Sequence, residues 1–155
     1  LTLRGIPEVL YGTELGLMGG KEHGMIRCDF PGGFPGDSLN AFTVKGRTAE
    51  EKGFFNEVRQ LFHLRRERKS LAYGSMVHFP PASELYMYLR LLPAEKTLVL
   101  VNNRDDAQKA SIVQAKGYFG GATVLKNLMT GATLDLRTTT DVDVPANDAV
   151  ILGTP

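Results

Sequence analysis

At 155 residues, with 43% apolar and 23% charged residues, the sequence has the composition of a folded globular chain, with room for one domain or for one domain and part of another. Its formal net charge of +1 gives no general attraction to nucleic acid or to an anionic membrane surface, and neither is expected as a partner. Cys28 is the only cysteine, which excludes an internal disulfide, and no window reaches the roughly 20 apolar residues of a membrane-spanning helix.

The first element is Arg4-Gly-Ile-Pro-Glu-Val-Leu-Tyr-Gly-Thr-Glu-Leu-Gly16, an apolar run that reads as a buried strand ending in a glycine-punctuated loop. A strand buried on both faces needs neighbours on both sides, or its backbone N–H and C=O groups go unpaired. No partner strand precedes it and the first residue is Leu1 rather than Met, so the expectation is the tail of a longer protein. From Lys21 to Arg47 comes a stretch rich in Gly and Pro, including Asp29-Phe-Pro-Gly-Gly-Phe-Pro-Gly-Asp37. Pro removes donors and Gly admits positive φ, so this stretch is a long loop, of the kind that lines a site when it is ordered. Phe30, Phe34 and Phe42 give it aromatic groups with which to pack.

Thr48-Ala-Glu-Glu51 has the pattern of a capping box and predicts a helix from about Ala49 to Lys69. Phe54, Phe55, Val58, Leu61, Phe62 and Leu64 recur at spacings of three and four and form its apolar stripe, while Arg65, Arg66, Arg68 and Lys69 favour the negative end of its dipole. After Gly74 the period changes to two. Leu85, Met87, Leu89 and Leu91 alternate with Tyr86, Tyr88 and Arg90, giving a strand with one aliphatic and one aromatic face. Further strands are expected at 98–101, 110–114, 123–128, 133–136, 140–144 and 149–152, with turns at Asn102–Asp106, Leu128–Ala132 and Pro145–Asp148. Several short strands separated by turn residues predict an antiparallel β-sandwich.

Taken in order, these pieces resemble the C-terminal end of the α-amylase family of glycosidases, most closely its neopullulanase and cyclomaltodextrinase branch. Gly5-Ile-Pro-Glu-Val-Leu-Tyr-Gly-Thr-Glu14 is similar to that family's last barrel strand. Ile26-Arg-Cys-Asp-Phe-Pro-Gly-Gly-Phe-Pro-Gly-Asp37 with Asn40-Ala-Phe42 resembles the loop after it, and Glu57 to Arg66 resembles the last barrel helix. The resemblance implies a mixed fold: the remnant of the end of a (β/α)8 barrel over residues 1–72, then an all-β, Greek-key-type sandwich over residues 73–155. It also implies a parent enzyme that acts on α-glucosidic bonds by a retaining mechanism. The family's catalytic carboxylates lie on earlier barrel strands, so no catalytic residue is expected here and the polypeptide alone is expected to be inactive.

Under that resemblance Tyr11, Gly12, Thr13 and Glu14 stand near the rim of the catalytic cleft, where barrel strands end. Arg27 is the main substrate-binding candidate, since a guanidinium donates several hydrogen bonds to neighbouring hydroxyls; Asp29 is its natural acceptor, and the alternative is an Arg27–Asp29 loop salt bridge. Glu14 either touches sugar or ties its loop to backbone amides. Phe34 is either a sugar platform or a packing anchor, and Asp37 and Asn40 either bind the same ligand or shape turns. Related amylases often carry Asp where this sequence has His23, four residues before Arg27. Expected partners are an α-glucan or maltooligosaccharide, the missing upstream barrel, and a second copy of the chain through exposed apolar surface. No metal and no cofactor are assigned, because His23, Cys28, His63 and His78 lack the paired spacing of a zinc site. A second reading makes the chain a carbohydrate-binding or interaction module in which Tyr86, Tyr88 and Tyr118 stack on ligand.

Overall fold

The alternation at Leu85, Met87, Leu89 and Leu91 decides where the core lies, because it turns one face of a strand entirely aliphatic. In the computed structural model, which describes residues 1–24, 27–81 and 84–155, that strand is β2 (Leu85–Leu91). Ile26, the first residue of the loop motif, lies outside the described residues. The other strands are β1 (Ser75–His78), β3 (Lys96–Asn102), β4 (Gln108–Ser111), β5 (Val124–Asn127), β6 (Thr133–Asp135), β7 (Asp141–Val144) and β8 (Ala149–Gly153). A six-stranded sheet runs β1-β2-β3-β8-β5-β6, and β4 pairs with β7 in a separate two-stranded sheet, every described pairing being antiparallel.

Met87 and Leu89 of β2, Leu98 and Leu100 of β3, Leu125 of β5 and Val150 and Leu152 of β8 form one apolar cluster with Ala110, Val142 and Val144 of the small sheet. Two sheets closed on a shared core make the expected antiparallel sandwich, and each fully buried aliphatic side chain in it contributes about 1.5–3 kcal/mol. Asn102 fastens its turns. Its amide donates to the carbonyls of Asp106 (2.9 Å) and Pro145 (2.8 Å), and its Oδ1 accepts from the Arg104 N–H (3.0 Å), so a buried polar group is fully used. The turn expected at Leu128–Ala132 is set by Asn127, whose Oδ1 accepts the N–H groups of Met129 and Thr130.

The far face of β2 is also covered. Tyr88 is only 2% exposed, and its hydroxyl bonds Thr2 Oγ1 at 2.5 Å. Arg90 donates to the carbonyls of Thr2 (2.9 Å) and Gly74 (3.0 Å). Arg65 donates to the carbonyls of Leu1 (2.6 Å), Leu3 (3.1 Å), Gly5 (2.6 Å) and Leu71 (2.9 Å). Two guanidinium forks thus answer carbonyls that no strand pairs, which is how an irregular segment can be buried. Burial, together with the charge of Arg65, pushes the pKa of Arg90 down from its ordinary value.

Leu1–Gly5 and Leu64–Pro155 form one compact unit, and Ile6–His63 form a second. Helix α1 (Ala49–Glu67) begins with the expected capping box: Glu51 Oε2 accepts the Thr48 N–H at 2.6 Å and Thr48 Oγ1 accepts the Glu51 N–H at 3.2 Å. It ends two residues earlier than its periodicity predicts. Arg68 is extended, with φ −85° and ψ 102°, before α2 (Lys69–Tyr73) resumes. The reason lies in its side chain, which donates to the carbonyls of Thr154 (2.8 Å) and Lys96 (3.0 Å) and pairs with Glu95 at 3.7 Å.

Three expectations are corrected. No strand forms over residues 5–11, because the described residues offer no neighbouring strand to pair with the run, and a 3-10 turn at Thr13–Leu15 follows it instead. The strand expected at 110–114 stops at Ser111; Ala115 is fully buried, and the carbonyl of Ile112 accepts from the N–H groups of Ala115 and Lys116, making helix α3 (Val113–Lys116). Tyr88, finally, is no stacking platform, since its ring is buried.

Candidate functional site

The candidate site belongs to the Ile6–His63 unit and is built from a tight turn and the loop that follows it. At Gly12, φ is +83° and a Cβ would stand 2.6 Å from Leu17 Cδ1, so only glycine closes the turn that projects Tyr11 and Glu14. The Tyr11 hydroxyl donates to the carbonyl of Cys28 at 3.1 Å. That bond ties the turn to the loop at the residue flanked by Arg27 and Asp29.

Arg27 and Asp29 are both exposed, and no ion pair joins them among the described residues. Glu14 is half-buried, and among the described residues no backbone amide donates to its carboxylate. Asp37 is a turn former here: its Oδ2 accepts the N–H groups of Gly32 (2.8 Å) and Phe34 (3.1 Å) and leaves the Phe34 ring 59% exposed. Asn40 does the same for Phe42, whose ring lies 4.7 Å from that of Phe30. Arg47 closes the loop, donating to the carbonyl of Ala41 at 2.6 Å with its guanidinium 3.5 Å above the Phe55 ring. The structure therefore brings the Tyr11–Glu14 turn to Arg27 and Asp29 through one hydrogen bond, while Phe34 stands on a separate turn.

Sequence reasoning missed a groove of about 500 Å³ bounded by Val9, Leu10, Tyr11 and Glu14 on one side and by Phe55, Val58 and Phe62 of α1 on the other. Its signal in the sequence is the apolar stripe of α1 that carries Phe55, Val58 and Phe62. Glu14 is the one carboxylate lining this groove among the described residues. No group of three or more His, Cys, Asp or Glu side chains able to hold a metal ion occurs among the described residues. Chemically, the arrangement offers a guanidinium, two carboxylates and an exposed ring, groups suited to hydrogen bonding and stacking.

Comparison with known proteins agrees with the sandwich. Residues 76–153 match the model of the cyclo-malto-dextrinase C-terminal domain. The chain is 27% identical over 98% of its length to a maltogenic alpha-amylase of Bacillus acidopullulyticus, covering 24% of that protein. It is 23% identical over 75% of its length to a cyclomaltodextrinase of Thermoanaerobacter pseudethanolicus, covering 18% of it. Among solved structures, the Nostoc punctiforme debranching enzyme superposes with a TM-score of 0.65 at 25% identity, covering 97% of this chain and 26% of that one. The chain thus spans about a quarter of its relatives' length or less. With half of its residues in the matched domain, it belongs to the cyclo-malto-dextrinase C-terminal domain family, the C-terminal part of α-amylase-family enzymes.

Proposed function

We propose that this chain is the C-terminal portion of a retaining glycosidase acting on the α-glucosidic bonds of starch-type glucans. The observation that carries the reading is the match along 98% of the chain to a maltogenic amylase about four times its length, with the domain match falling on the sandwich. On this reading residues 1–72 are the last strand, loop and helix of a (β/α)8 barrel, and residues 73–155 are the C-terminal sandwich. The uncovered apolar surface of the Ile6–His63 unit supports it: Ile6, Leu10 and Phe62 are all exposed. The nucleophile, the acid/base and the third carboxylate then belong to barrel strands other than the one represented here.

Within the parent's cleft, Arg27 donates to sugar hydroxyls, Asp29 orients it or accepts from the sugar, Glu14 holds a further hydroxyl, and Phe34 offers a ring to a pyranose. The exposure of Arg27, Asp29 and Phe34, and the lack of an ion pair on Arg27 and Asp29 among the described residues, support these roles. The relative from Nostoc punctiforme is a debranching enzyme soaked with acarbose, which agrees with an oligosaccharide ligand. Assay of the 155-residue chain on maltooligosaccharides and pullulan should release no reducing sugar; turnover by the isolated chain would refute the division of labour. The same exposed apolar surface makes the isolated chain self-associate. Light scattering should give a mass above that of one chain, and a monodisperse monomer at all concentrations would contradict it.

A further inference from the structure

The two sheets of the sandwich differ in width, and the difference leaves one end of the core open. Six strands lie on one side and only β4 and β7 on the other, so the small sheet cannot cover the β1–β2 edge. A groove of about 260 Å³ remains there, lined by Phe79 and Met87 together with Gln108, Lys109, Ser111 and Gln114. Phe79 is held at both levels: its N–H donates to the carbonyl of Met87 at 3.0 Å, and the Tyr118 ring meets its own edge-on, 6.2 Å away at 84°. Gln108 donates to Asp106 through its Nε2 at 2.7 Å, which fixes the amide and leaves its Oε1 as an acceptor. The side chains of Ser111 and Gln114 make no hydrogen bond among the described residues.

An anchored aromatic ring facing free amide and hydroxyl groups over an apolar floor suits a ligand with one apolar face and a rim of hydroxyls. That is the chemistry of a pyranose ring. Ordinary small-molecule pockets run from roughly 300 to 1,000 Å³, so this smaller groove takes a short ligand rather than a long one. Lys109 is the one charged residue lining the groove among the described residues, and its ammonium group can donate to a sugar hydroxyl as the amides do. We infer that the Phe79–Gln114 groove is a second carbohydrate site, on the sandwich itself, which holds the end of an α-glucan chain away from the Arg27 loop. Its ligand class rests on the function proposed above; its position does not.

The test is titration of the isotope-labelled 155-residue chain with maltotriose, followed by amide chemical shifts. Shifts centred on Phe79, Gln108, Ser111 and Gln114, with affinity reduced about tenfold in the double variant Ser111→Ala, Gln114→Ala, are the expected result. Both substitutions are at exposed positions, so the variant keeps its fold, and Phe79→Leu serves as a second probe of stacking. Shifts confined to Tyr11, Glu14 and Arg27 would overturn the groove and leave the proposed function standing. Equal shifts in the groove with cellotriose would overturn its assignment to α-glucans, and no shift with either sugar at millimolar concentration would overturn the site itself.

Discussion

The two compact units of this chain treat apolar residues in opposite ways. In the unit made by Leu1–Gly5 and Leu64–Pro155, Leu89, Leu98, Leu100 and Leu125 have no exposed surface at all. In the Ile6–His63 unit, Ile6 is 99% exposed and Met18 92%, and only Leu15 and Ala41 are buried apolar residues among those described. Polar groups show the same contrast: Arg90 and Asn102 are buried and bonded and Arg68 is half-buried and bonded in the first unit, while Arg27 and Asp29 in the second are left to solvent. One unit solves its own packing problem; the other carries side chains suited to cover that it does not itself contain.

The largest effects should therefore come from the sandwich core. Leu98→Ala removes a fully buried side chain between the sheets and should cost about 2–5 kcal/mol in urea unfolding. Ile6→Ser changes a side chain that touches almost nothing in its unit and should leave the midpoint in place. If the two cost the same, the contrast between the units fails. Arg90→Met comes next. It deprives the Thr2 and Gly74 carbonyls of their donors while keeping the aliphatic stem, and should cost about 1–3 kcal/mol by the same measurement. A neutral Arg90→Met would mean that Arg65 and Tyr88 suffice to hold Leu1–Gly5.

Acid sensitivity sharpens the comparison further, because the network around Glu95 lies wholly in the sandwich unit. Burial raises the pKa of Glu95, but the Ser70 N–H at 2.5 Å and the Arg68 charge outweigh it, so the carboxyl titrates below its ordinary value of 4.5. The unfolded state then binds the proton more readily. The contribution is complete above the ordinary carboxylate pKa and is lost as pH falls through the lower folded value. Urea midpoints measured from pH 6 down to 3 should fall in the native chain, and the fall should be shallower in Glu95→Gln, a difference of about 1 kcal/mol. Parallel curves would show that other carboxylates carry the acid limb.

What was legible in the sequence follows the same division. The alternation in β2, the capping box at Thr48 and Glu51 and the turn at Leu128–Ala132 are local patterns, and each reappears in the structure because its partners lie within the chain. The run at residues 5–11 has a strand's composition and forms none, since pairing is a property of neighbours rather than of the run itself. Arg65 and Arg68 were read as dipole partners at a helix end, yet each satisfies distant carbonyls, which no spacing rule reveals. At the candidate site, the Gly12 turn was legible from its glycine; the bond from Tyr11 to Cys28, seventeen positions on, was not.

The smallest effect expected is also the most local. Asp37→Ala removes the acceptor of the Gly32 and Phe34 N–H groups, and both donors lie in a loop of the unit that lacks a large core. A bond to a carboxylate at such an exposed site protects its donor weakly, so hydrogen exchange at the two amides should quicken by about tenfold. The urea midpoint read from the β2, β3 and β8 amides should not move. A shift of that midpoint would show that the loop's turns contribute to the sandwich's stability, and the two units would have to be treated as one cooperative body. An unmoved midpoint with slowed maltotriose binding would instead assign Asp37 to the loop's shape at the sugar, where the orientation of Phe34 depends on it.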